Sequence, residues 1–168
     1  MLEQLASAAR IDFRPRHAQP AMSRVALATI AAVAGSLAAD ALLVLIAQAV
    51  FPATRGYAHF QFGDYAKLTV IGVVGACLGW PIVTRISSAP RWLFFRLAIL
   101  VTLVLWLPDV YILYAGQPAD AVAFLFVMHL AIALVTYNLL VHLAPAGPVR
   151  RPVGRDPRVA SGAGPRPA

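Results

Sequence analysis

From Val25 to Phe51 the chain runs for twenty-seven residues through apolar and small side chains, with one charge, Asp40, near the middle. A helix of that length rises about 1.5 Å per residue, enough to cross a hydrocarbon core of about 30 Å with some tilt. An aspartate at that depth costs roughly 2.5–3.5 kcal/mol on insertion-derived scales. Something must offset the cost, so Asp40 constrains both the fold and the function of this chain.

The rest of the sequence repeats the pattern. Of 168 residues, 60% are hydrophobic and only 12% are charged, against about 25% charged in an average soluble domain. Further apolar runs cover Leu68–Thr84, Trp92 to about Ala115, and about Ala121 to Leu143. Four spans with short connections predict an all-α, up-down-up-down integral membrane four-helix bundle over residues 23–143, the spans falling at 25–51, 68–84, 92–115 and 121–143. Residues 1–22 read as an N-terminal tail, and Met22 offers a second point at which translation could start. Residues 144–168, rich in Pro, Gly and Arg without apolar periodicity, read as a disordered basic tail. Ala47-Gln48-Ala49 resembles a small-residue cleavage site, but the apolar run before it far exceeds the 7–15 residues or so of a signal h-region, so a retained anchor is expected.

A net charge of +7 would suggest nucleic acid in a soluble protein, but here the cations are segregated, and no nucleic-acid partner is expected. The N-terminal tail carries Arg10, Arg14, Arg16 and Arg24. The second turn and its flanks carry Arg85, Arg91 and Arg96. The C-terminal tail carries Arg150, Arg151, Arg155, Arg158 and Arg166. With four spans these lie on one side, leaving Arg55 and Lys67 on the other. The positive-inside rule then puts both termini in the cytoplasm, for a protein of the inner (plasma) membrane. In the first outer loop Tyr57, Phe60, Phe62 and Tyr65 suit an interfacial aromatic belt.

Three ionisable side chains fall within the spans. At 1.5 Å per residue, Asp40 lies ~3 Å, Asp109 ~8 Å and His129 ~4–5 Å to the outer side of their span centres. In the first span Ala32, Ser36 and Asp40 follow at steps of four, a small-residue stripe suited to packing inward. Thr102 and Asp109 share a face at a step of seven, as do His129 and Thr136. Asp40, Asp109 and His129 therefore form a candidate intramembrane polar cluster, able to relay protons, couple proton movement to a solute, or bind a cation. The plainer alternative is that each is a hydrogen-bonding staple between helices. Gly75-x-x-x-Gly79 is expected to be a close-packing face against another helix, Trp80-Pro81 to kink the second span, and Leu107-Pro108-Asp109 to interrupt the third.

Enzyme signatures are missing: there is no phosphate loop, no Ser-centred elbow and no HExxH. No catalytic residues, cofactor or metal are expected, since two carboxylates and one histidine lack a ligand-spacing motif. The lone Cys77 reads as a small buried residue. The expected partners are the lipid bilayer and a second copy or another membrane protein.

The segments AAVAGSLAADALLVLIAQ, IGVVGACLGWP, LWLPDVYIL and FVMHLAIALVTYNLL give residues 23–143 a layout that resembles small, uncharacterised four-span membrane proteins of actinobacterial type. That resemblance implies an integral membrane protein and supplies no catalytic residues. Four-span small multidrug exporters share the single acid in the first span; they are shorter and use glutamate.

Overall fold

A computed structural model describes residues 10, 11 and 17–147. Four helices follow one another, α1 Met22–Val50, α2 Phe62–Ile86, α3 Pro90–Tyr114 and α4 Ala119–Leu143. Two single 3₁₀ turns, Pro52–Thr54 and Ala58–Phe60, fill the connection between α1 and α2. All four helices are long and apolar enough to cross a membrane. The predicted all-α four-helix bundle is the observed architecture. The tail at 144–168 is described only as far as 147, so the reading of the remainder lies outside the described residues.

α4 is the hub of the bundle. It packs along α1 most extensively, then along α3, and also meets α2, while α1 and α3 stand diagonally apart. Close approach of α1 and α4 depends on Gly35, where a Cβ would lie 3.1 Å from Val135 Cγ1 and 3.7 Å from Leu139 Cδ1.

Element bounds differ from the sequence expectation mainly in α2. It starts at Phe62, six residues before the apolar run, because Asp64 sits in its first turn and meets Lys67 at 3.5 Å one turn on. An acid at that position complements the helix dipole. Pro81 and Pro108 both lie inside unbroken helices, so neither ends its span. A proline removes one N–H and leaves one carbonyl free, a loss that neighbouring groups in a bundle can absorb.

Gly75 and Gly79 do not pack as expected. An added Cβ at Gly72, Gly75 or Gly79 meets nothing within 4 Å, so this face looks away from the bundle. The small-residue contact inside the bundle is made instead on α1, by Gly35 and the buried stripe Ala28, Ala32, Ser36.

At the tail end of the bundle the chain closes on itself. Arg10 O accepts from Ser88 N–H at 3.2 Å and from the Ser87 hydroxyl at 3.1 Å. Gly147 N–H donates to Ala18 O at 2.8 Å, and the buried Trp80 Nε1–H donates to Ala144 O at 2.8 Å. His17 bridges the two, with Nδ1 3.1 Å from Gly147 O and Nε2 3.1 Å from Ser88 O. Segments that read as tails in the sequence thus supply part of the packing at this end.

Candidate functional site: a buried polar layer

The buried residues divide into two apolar clusters with polar side chains between them. One cluster, toward the tail end, joins Val25, Ala28 and Ala32 of α1 to Val73, Cys77 and Trp80 of α2 and Leu140 of α4. The other, toward the opposite end, joins Val44 and Ala47 to Phe60, Tyr65, Leu125 and Met128. Along each helix the buried side chains between the clusters are polar, joined on α4 by the half-buried His129. They are Ser36 and Asp40 on α1, Thr69 on α2, Thr102 and Asp109 on α3, and His129 and Thr136 on α4. A polar layer therefore crosses the bundle, closed by apolar packing on both sides.

Asp40 is fully buried, and its Oδ2 accepts a 2.7 Å hydrogen bond from the Thr69 hydroxyl. Its second oxygen, Oδ1, is buried without a donor. One turn earlier the Ser36 hydroxyl is buried in the same condition, and so is that of Thr136 on α4. The Gly35–Val135 contact puts Ser36 and Thr136 at one height on facing helices. A buried acceptor with no donor from the protein costs about 1–3 kcal/mol.

On the other side of α4, His129 Nδ1 lies 2.9 Å from Asp109 Oδ2 and 3.0 Å from the Leu125 carbonyl. A neutral ring carries at most one proton on Nδ1, so the two oxygens compete for it. Asp109 Oδ2 has no well-aligned donor, so the 2.9 Å approach of His129 Nδ1 is a close contact rather than a directed hydrogen bond. His129 also lies close enough to Asp40 for their charges to interact.

The structure thus brings Asp109 and His129 into contact, and it places Asp40 on the diagonal helix with Thr69 as its direct partner. α4 stands between the two acids, and His129 on α4 feels both. Thr69 was not singled out in the sequence, where it is one hydroxyl in an apolar run. Its depth, two residues inside Lys67, is the signal that could have found it.

The connection between α1 and α2 reaches down to this layer. Thr54 and Phe60 are buried, and the Tyr57 hydroxyl is buried without a partner. The Tyr57 ring meets His59 and Phe60 edge-on at 5.3 and 5.2 Å. Burial, reinforced by the charge of Asp109, holds the Tyr57 phenol above its ordinary range. His59 also lies within electrostatic reach of Asp109.

Chemically the layer offers two carboxylates, one imidazole and several hydroxyls that lack donors or acceptors, all within helical walls. Such a set can pass protons or surround a small cation with oxygen. Among the described residues no group of three or more His, Cys, Asp or Glu is placed to hold a metal ion. No family model, curated protein or solved structure matches this chain.

Proposed function

We propose that this chain is a multi-pass protein of the inner membrane, with both termini cytoplasmic, that moves a small solute in step with a proton or cation, or assists a partner that does so. The role is non-enzymatic. The observation that carries the reading is the layer itself: two buried acids and a half-buried histidine from three helices, set between two apolar clusters. Ionisable groups at membrane depth are costly and mark ion pathways more often than they serve as ornaments of packing. Twelve of fourteen cations on one side support the orientation.

A second reading rests on a separate observation. The open face at Gly72, Gly75 and Gly79 leaves room for the backbone of another helix, which suits an assembly subunit that binds a second copy or another membrane protein.

Reconstitution separates the two. In vesicles carrying a pH gradient, the transport reading expects dissipation by the wild type and its loss in Asp40→Asn, with helicity retained. The assembly reading expects no flux from either protein, together with loss of the oligomer in Gly75→Leu/Gly79→Leu.

A further inference from the structure

α3 is the least enclosed of the four helices, and its first turns combine charge with an apolar channel. A cavity of about 440 Å³ opens at the tail end of the bundle, lined by His17, Arg91, Trp92 and Gly147 among others. The Trp92 indole is flanked by two cations, the Arg96 guanidinium 4.1 Å and the Arg10 guanidinium 5.2 Å from its ring centre. Among the described residues no carboxylate lies within 4.0 Å of any of these three arginines. The back of the cavity is fixed by His17, whose ring nitrogens meet the carbonyls of Gly147 and Ser88.

A second cavity, about 200 Å³, runs between α3 and α4 and is walled by Phe95, Ile99, Trp106, Ala133 and Tyr137 among others. Steps of four, three and four connect Arg91 to Phe95, Ala98 and Thr102, so the arginine and the channel share one face of α3. Tyr137 stands at the junction, with its hydroxyl 3.5 Å from Arg91 O and its ring 5.5 Å from that of Phe95. The other hydroxyl in the channel wall, on Thr102, is turned to its own helix, donating to Ala98 O at 2.8 Å. From Phe95 to Trp106 the channel extends about 16 Å, close to half of a hydrocarbon core of about 30 Å, which is the depth of one leaflet.

We propose that α3 and α4 hold one anionic phospholipid, its phosphate in the cavity lined by Arg91 and Trp92, with Arg96 against the same indole, and one acyl chain in the groove between the two helices. Guanidinium groups match phosphate oxygens in geometry as well as charge, and an indole suits the headgroup boundary where polar and apolar environments meet. A soluble anion would use the first cavity alone. The groove on the same helix face favours a lipid.

Native mass spectrometry of the full chain in detergent tests this, with phosphatidylglycerol and phosphatidylcholine of identical acyl chains and with inorganic phosphate. The expected result is roughly thirtyfold greater retention of phosphatidylglycerol, from two cations near the surface. Arg91→Gln/Arg96→Gln should bring the two lipids to parity, whereas Arg55→Gln, at the opposite end, should change nothing. Ala133→Trp, which fills the groove, should lower retention of both lipids; if that variant loses helicity, Ala133→Leu is read in its place. Equal retention by the wild type overturns the proposal, as does a preference that survives the double arginine variant. Displacement of phosphatidylglycerol by inorganic phosphate at equal concentration also overturns it, in favour of a free-anion site.

Discussion

At the scale of single residues, the account turns on which buried polar atoms have partners. Asp40 has one, the Thr69 hydroxyl, so Thr69→Val removes the donor while keeping the shape. The expected cost is about 1–3 kcal/mol, measured by thermal or denaturant unfolding in detergent. Thr29→Val is the comparison: its hydroxyl donates to Val25 O of its own helix and otherwise neighbours only the Cys77 thiol, leaving no buried carboxylate unpaired, so a smaller cost of about 0.5–1 kcal/mol is expected. Tyr57 gives a pH signature. Its phenol is held above the ordinary value of 10.0 by burial first and by Asp109 second. Below that value both folded and unfolded chains keep the proton. Above it the unfolded chain releases the proton more readily, so stability falls as pH rises past the ordinary phenol range. Tyr57→Phe should flatten that part of the stability curve, and an unchanged slope would show that the hydroxyl is not enclosed. Asp40, Asp109 and His129 were legible in the sequence because ionisable groups stand out in apolar runs. Thr69 and Tyr57 were not, since a hydroxyl in a span or an aromatic in a loop carries no mark of burial until the helices are placed beside one another.

At the scale of elements, pattern alone placed the four helices but not their contacts. Spans and turns follow from apolar run length, which depends on composition within each segment. Which face of a helix meets a neighbour depends on the other helices, and here the glycines misled. Gly75 and Gly79 carry the spacing of a packing motif yet look away from the bundle, whereas the lone Gly35 lets α1 reach α4. Two substitutions compare them. Gly35→Leu should destabilise the α1–α4 contact by about 1–3 kcal/mol, the usual cost when overpacking forces side chains and backbone to shift. Gly75→Leu should leave the isolated bundle unchanged or slightly more stable, because a leucine suits a helix better than glycine by close to 1 kcal/mol. Unfolding in detergent as a monomer reads both, and equal destabilisation would contradict the packing described. Pro108 teaches the same lesson: it reads as an interruption in isolation, yet the helix continues through it.

At the scale of the whole molecule, the central feature is a polar layer closed on both sides by apolar packing. α1 carries one acid and α3 the other, diagonally apart, and α4 places a histidine between them. The orientation proposed for the bundle has its own check. Cys77 is the sole native cysteine and is buried, so a Cys77→Ala background accepts single labels cleanly. A cysteine at position 55 should react with an impermeant maleimide added outside intact cells, and one at position 150 only after lysis. The reverse pattern would invert the topology. The most direct measurement of the central claim is proton flux through His129→Gln in reconstituted vesicles, beside wild type at matched helicity and insertion. If the imidazole links the two acids, flux through the variant should fall at least tenfold. Flux equal to wild type would mean that the two acids do not communicate through α4, and the layer would be a set of separate staples.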